Sequence, residues 1–316
     1  MPVLPADVDA AGALIAGHVH RTPVLTSSAL DSACDAQVFL KCENLQRVGA
    51  FKVRGAMNAV LSLDAATAVR GVACHSSGNH GQALALAARE QGLAAHVVMP
   101  TTAPEVKRAA VAGYGATIVD CAPTLAAREA ALAEVLHTTG ATEVHPYDDD
   151  RVIAGQGTAC LELLEEVADL DAVAAPVGGG GLLSGTALAV AGHSPATAVV
   201  GAEPAGADDA HRSFRSGHLV GSSAPRTVAD GLLASLSERT FAVIRASVSD
   251  IVTVEESAII SAMRFLWERT KLVVEPSAAV AVAAVLAGDV RGGRIGVILS
   301  GGNVDLDRLP WSEGRA

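Results

Sequence analysis

The sequence predicts an α/β protein built on mainly parallel sheets. Two observations carry this: short apolar, β-branched runs alternate with longer Ala-rich stretches of helical character, and each run is nearly continuous rather than alternating with polar residues. Continuous runs are the mark of strands buried on both faces. In chain order, strand Val38–Leu40 leads to helix Gly55–Leu63, Val72–Cys74 to His80–Gln91, and Ala95–Met99 to Pro104–Gly113. Strand Thr117–Val119 precedes helices Leu125–Thr138 and Val152–Ala168, and Ala172–Val177 precedes Leu182–Ala191. Strands Ala198–Ala202 and Ile251–Val254 follow, then helices Glu255–Thr270 and Pro276–Leu286, and strand Ile295–Leu299 closes the series. Many of the helices open beside Pro, Asp, Asn or Gly and carry the Ala, Leu, Glu and Arg that favour helix. Alternation of this kind gives α/β layers, with ligands at the carboxyl ends of the strands.

Composition narrows the function. The chain has 316 residues, enough for about two domains, and its 23 Lys+Arg against 34 Asp+Glu leave a net charge of −11, which argues against a nucleic-acid partner. The five cysteines (Cys34, Cys42, Cys74, Cys121, Cys160) are odd in number and lack CxxC spacing, so they read as small hydrophobes of a reduced cytosol. The N-terminal apolar stretch is broken by Pro, Asp and His, which fits neither a signal peptide nor a membrane span. A cytoplasmic protein without a membrane partner is expected.

Four strand-end turns carry the chemistry. Pro176-Val-Gly-Gly-Gly-Gly-Leu-Leu-Ser-Gly185 places Gly178, Gly179, Gly180 and Gly181 between a buried strand and a helix, so backbone N–H groups can converge on a phosphate. No Gly-Lys-Ser/Thr follows, which excludes a Walker loop. His75-Ser-Ser-Gly-Asn-His-Gly either caps the next helix or binds an anion. Phe51-Lys52-Val53-Arg54 sets a lysine beside an aromatic just before a helix; beside a phosphate cradle, such a lysine is what an aldehyde cofactor needs. Ser300-Gly-Gly-Asn303 puts a hydroxyl at a strand end.

Taken in order, FKVRGAMNA, SSGNHGQALA, VIAGQGT, PVGGGGLLSG, AEPAGADDA, WERTKLVVEPSAA and LSGGNVD resemble the fold-type II pyridoxal 5′-phosphate (PLP) enzymes, specifically the serine/threonine dehydratase and serine racemase family. The resemblance runs from about Arg21 to Asp305. It implies the tryptophan synthase β-like fold: two open, mainly parallel sheets with flanking helices, a large PLP-binding domain (1–70 and 150–316), a small mobile domain (71–149) and a homodimer.

The resemblance also implies roles. Lys52 is the Schiff-base lysine and general base, Phe51 packs near the ring, Asn79 bonds its 3′-oxygen, Gly178–Gly181 hold the phosphate and Ser300 bonds the pyridine nitrogen. Ser76, Ser77, Asn79, His80 and Arg128 contact the amino-acid substrate, and Ser77 stands where racemases place their opposite-face acid/base. Glu203, the Ala207 carbonyl and Asp209 imply a divalent cation, Mg²⁺ or Ca²⁺.

The expected activity is β-elimination from L-threonine or L-serine to a 2-oxo acid and ammonia, with a serine or hydroxyaspartate racemase, or a 3-hydroxyaspartate ammonia-lyase, as the alternative. Arg47-Val48-Gly49-Ala50 before the lysine, Tyr147 where a racemase has a small amide, and Ala234 where it has a serine argue against a dedicated racemase. Only 11 residues follow Asp305, so a regulatory domain responsive to isoleucine is not expected. A non-catalytic sensor is disfavoured by the intact lysine, and a nucleotide-binding oxidoreductase by the lack of a ribose-binding acid after the glycines.

Overall fold

Runs of Val, Ile and Ala bounded by polar turns form two sheets in the computed structural model, which describes residues 3–76, 78–103 and 105–311. In chain order the elements are α1 (Pro5–Ile15), β1 (Val24–Leu25), α2 (Ser28–Cys34), β2 (Gln37–Cys42), α3 (Lys52–Leu61), α4 (Ala65–Ala68), β3 (Val72–His75) and α5 (Asn79–Glu90). Then come β4 (Ala95–Pro100), α6 (Glu105–Gly113), β5 (Thr117–Cys121), α7 (Leu125–Thr139), β6 (Thr142–Glu143), α8 (Asp150–Glu166), β7 (Ala172–Pro176) and α9 (Gly181–His193). The chain ends through β8 (Ala198–Pro204), α10 (Asp209–Ser216), α11 (Glu238–Ser247), β9 (Asp250–Val254), α12 (Glu256–Thr270), α13 (Pro276–Leu286) and β10 (Arg294–Leu299).

The larger sheet has the order β1-β2-β10-β7-β8-β9 and is parallel except for the short antiparallel edge β1. The smaller, β5-β4-β3-β6, is parallel throughout. Every residue of β7 is buried, as its continuous apolar run requires, and α13 is buried from Pro276 to Val285. A helix apolar all round belongs in the centre of a core, and α13 packs there against β7, β8 and β10. Among the described residues no helix is long and apolar enough to cross a membrane. All five cysteines are free; Cys42, Cys74 and Cys160 are buried and the other two partly so.

All eight expected strands and all eight expected helices form, with ends shifted by up to three residues. Pro104, expected to open α6, lies outside the described residues. Helix α3 starts at Lys52 rather than Gly55 because the Phe51 carbonyl already accepts the Arg54 N–H at 3.0 Å. Lys52 is thereby held in a first turn instead of a free loop.

Buried charge anchors that turn. Arg54 and Glu43 are wholly buried; Arg54 Nε and Nη2 donate to the two Glu43 oxygens at 2.7 and 2.8 Å, and Nη1 donates to Glu162 Oε1 at 2.7 Å. Lys41 Nζ pairs with Glu162 at 2.6 Å and donates to the Thr22 carbonyl at 2.6 Å. The cluster ties β2, α3 and α8 together two residues from Lys52. Removing one partner would strand a buried charge, at a cost of about 3–5 kcal/mol.

Candidate active site

Strands β2, β10 and β7 are neighbours, so the segments leaving their carboxyl ends meet. The Phe51 N–H donates to the Ser300 carbonyl at 3.0 Å, Gly302 N–H to Gly49 O at 2.9 Å, and Ala50 bridges Gly301. This stitches the lysine segment to the serine turn; Ser300 itself is 2% exposed. Lys52 Nζ donates to the Pro146 carbonyl at 2.8 Å and lies 5.0 Å from the centre of the Phe51 ring. Burial pulls the Lys52 amine down to about 8, opposed by the charge of Glu275. Roughly a tenth of it is then unprotonated at neutral pH, against about one part in a few thousand for an ordinary lysine.

Asn79 opens α5 and is fully engaged on one side. Its Nδ2 donates to Glu275 at 3.0 and 3.2 Å, and its Oδ1 accepts from Asn303 Nδ2 at 2.9 Å. Asn303 also donates its backbone N–H to Glu275 at 3.1 Å and its side chain to Val48 O at 2.7 Å. Neither Glu275 nor Asn303 has a role in the sequence reading, although both sit in its matched segments. The signal for Glu275 was an acid directly before a helix-opening proline at the edge of an otherwise apolar stretch.

Glycines 178–181 run from β7 into the N-terminus of α9, where unpaired N–H groups and the helix dipole favour an anion. None of their four N–H groups donates to a backbone acceptor among the described residues. Gly180 has φ +86°, and a Cβ on Gly179 would fall 2.3 Å from Tyr147 Cδ1. The glycines are therefore required by the protein's own packing as well as by close approach of a ligand. Tyr147, read from sequence only as a departure from the racemases, lays its ring against this loop. A lysine with a lowered pKa, a spare amide hydrogen on Asn79 and an unpaired row of N–H groups together fit an aldehyde-bearing phosphate.

The expected substrate contacts are distributed unevenly. The Ser76 hydroxyl accepts the Gly78 N–H at 3.3 Å, so it shapes the turn. Ser77 lies outside the described residues. The His80 imidazole is buried, with Nε2 donating to Val144 O at 2.8 Å; burial and then Lys52 hold it down to about 3, and its Nδ1 has no partner among the described residues. That ring is committed to the fold and stays neutral, leaving the His80 backbone as the part of the residue free to meet a carboxylate. Arg128, on α7, has a buried Nε with no partner among the described residues, and its charge, after burial, helps lower the His75 imidazole.

Glu203, next to last in β8, accepts the Ala210 and His211 N–H groups at 3.0 and 2.8 Å. Burial, with Asp209 and Asp208 adding, pushes it up to about 8. Asp209 is 2% exposed, burial raises it too, and its Oδ2 has no partner among the described residues. Ala207 is buried in the intervening turn. Among the described residues no group of three or more His, Cys, Asp or Glu side chains is placed to hold a metal. The orphaned Asp209 oxygen beside a second acid nevertheless fits a hard cation.

A family model described as pyridoxal-phosphate dependent enzyme matches residues 15–301. The chain is 50% identical over 308 residues to a β-hydroxyaspartate dehydratase of Paracoccus denitrificans (strain Pd 1222), covering 97% of this chain and 98% of that protein. It is 48% identical over 299 residues to a serine racemase of Arabidopsis thaliana, covering 92% and 90%. Among solved structures, a T.th. threonine deaminase superposes with a TM-score of 0.91 at 46% identity, covering 95% of this chain and 98% of that one.

Proposed function

The chain belongs to the pyridoxal-phosphate dependent enzymes, and from that premise we propose that it is an ammonia-lyase acting on a 3-hydroxyaspartate, which it converts to oxaloacetate and ammonia. The likeness to a β-hydroxyaspartate dehydratase favours this alternative over the threonine and serine expected first. One observation carries the dicarboxylate: Arg128 offers a guanidinium whose buried Nε has no partner among the described residues, close to His75 and so to the turn at Ser76. A second carboxylate is the group such a cation would bind.

PLP, when bound, supplies an aldehyde for the substrate's amino group and a conjugated ring that takes up electron density from Cα. The N–H groups of Gly178–Gly181 and the start of α9 would hold its phosphate, Asn79 its 3′-oxygen, and Ser300 its ring nitrogen. Lys52, once its amine is free, accepts the Cα proton; burial keeps that amine basic enough to act while leaving far more of it unprotonated than in an ordinary lysine. N–H groups of the Ser76–His80 turn would hold the substrate's α-carboxylate. The unit carrying residues 71–149 is proposed to close over the substrate and exclude water. A divalent cation at Asp209, with Glu203 and the Ala207 carbonyl, would be structural.

Purified protein given PLP is expected to release oxaloacetate and ammonia in equal amounts from a 3-hydroxyaspartate diastereomer, at a kcat/KM at least about tenfold above threonine or serine. Arg128→Met is expected to remove most of that preference. Equal or better turnover of threonine would overturn the substrate assignment. Chiral analysis of unreacted substrate detects the racemase instead, by inversion outrunning keto-acid release. Lys52→Ala should abolish both reactions.

A further inference from the structure

We propose that Glu275 is a positioning residue of this site: with Asn303, its carboxylate fixes the orientation of the Asn79 amide so that one Nδ2–H is left free for the bound cofactor. The inference rests on the cofactor reading above and extends it to two side chains to which that reading gives no role.

The argument is a count of donors and acceptors. Asn303 Nδ2 has two hydrogens, and both are used, on Val48 O at 2.7 Å and on Asn79 Oδ1 at 2.9 Å. The Asn79 oxygen must therefore face Asn303, which turns its nitrogen to Glu275. There the two carboxylate oxygens lie at 3.0 and 3.2 Å, a spacing one shared hydrogen satisfies. The other Nδ2 hydrogen remains for an acceptor such as the cofactor's 3′-oxygen. Rotating the amide by half a turn would set nitrogen against nitrogen at Asn303 and oxygen against carboxylate at Glu275. Both contacts are repulsive while Glu275 is ionised.

Glu275 is itself held in place. Its backbone N–H donates to Gly301 O at 3.0 Å, its Oε2 accepts the Asn303 N–H at 3.1 Å, and it is 5% exposed. A Cβ on Gly301 would lie 2.7 Å from Oε1, so the glycine makes room for the carboxylate. The charged groups facing it are Lys52 on α3, Asp230 in the turn before α11, and Lys107 on α6. Burial first, then Asp230, pushes the Glu275 carboxyl up to about 7, with Asn79 and Lys107 opposing. Protonation near neutrality then replaces a charged acceptor by a weaker neutral one and adds a competing O–H donor, so the hold on the amide, and with it the donor to the cofactor, weakens as pH falls.

The test compares wild-type protein, Glu275→Gln and Asn303→Asp by equilibrium affinity for PLP, read from the absorbance of the bound cofactor between about pH 6 and about pH 9, with thermal unfolding as a check of folding. Wild-type affinity is expected to weaken about tenfold as pH falls through about 7, the worth of one charge-assisted hydrogen bond. Glu275→Gln is expected to bind about tenfold more weakly above that pH and to lack the step, so ionisations of PLP itself cancel in the comparison. Asn303→Asp, which sets an acceptor against Asn79 Oδ1, is expected to weaken binding similarly. If Glu275→Gln keeps wild-type affinity and the same step, the inference is wrong; if it fails to fold, Asn303→Asp decides on the same criterion. Wild-type protein that binds no PLP at any pH overturns the cofactor reading, and this inference with it.

Discussion

At the scale of single residues, reactivity here comes from burial without a fixed counter-ion. Lys52 meets a carbonyl rather than a carboxylate at 2.8 Å, so desolvation prevails and its amine is weakened. Asp209 is the same case with the sign reversed, a buried acid whose Oδ2 has no hydrogen-bond partner among the described residues. That imbalance predicts a measurable cation effect. Saturating Mg²⁺ or Ca²⁺ over chelator should raise the unfolding temperature by about 5 °C, the shift expected when a ligand at about a hundred times its Kd binds only the folded state. Asp209→Asn should lose the shift while unfolding at or near the wild-type temperature in chelator, because burial outweighs the groups that favour the Asp209 charge. An equal shift in both proteins would place the cation elsewhere.

At the scale of elements, a demanding contact is the crossing of α8 and α9, where backbones touch through glycine. A Cβ on Gly185 would lie 2.5 Å from the Ile153 carbonyl, and one on Gly157 would lie 2.7 Å from the Gly185 carbonyl. Helix α9 begins at the glycine run proposed to hold the phosphate, so this crossing fixes where its N-terminus points. Gly185→Ala is expected to cost about 1–3 kcal/mol in urea unfolding, as overpacking does, and to weaken PLP binding in parallel; a neutral result would mean that the helices separate freely. The same scale shows what could be read in advance. Strands β7 and β10 and helix α13 were legible because burial on every side leaves an unbroken apolar run. Helix α1 buries only Val8, Ala11 and Ile15, and the small apolar residues between them blur the helical period. Helix α10 has only Ala210 and Phe214 as apolar positions, and in α11 the large apolar residues bunch in Phe241–Ile244 rather than recurring at helical spacing. Lys52, Asn79 and the glycines carry local signatures. Glu275 and Asn303 act through pairings over 196 and 224 residues of chain, which no local pattern records.

At the scale of the molecule, Lys52 stands on the joint between the two sheets. The segment before it is bonded to the end of β10, while Val53, Met57 and Val60 of its own helix pack in the core formed by β3, β4 and α5. Movement of one sheet against the other would therefore act on the helix that carries the lysine. Beyond that joint, Lys107 of α6 reaches Asp230 at 2.5 Å, linking the smaller sheet's outer helix to the turn beside Glu275. The pair is 25% and 57% exposed, so its contribution to global stability should stay within about 0.2–1 kcal/mol. Its effect on relative motion can be larger than its effect on unfolding, because it acts where the two layers can part. Lys107→Met or Asp230→Asn is expected to speed hydrogen exchange in α6 by up to about fivefold while shifting the unfolding temperature by less than about 4 °C. About 1 M salt should also speed exchange in α6 of the wild type, and less so in either variant, where the Arg108–Asp120 pair of the same helix is left to screen. Exchange in α6 that matches wild type in both variants would show that the pair does not restrain the smaller layer.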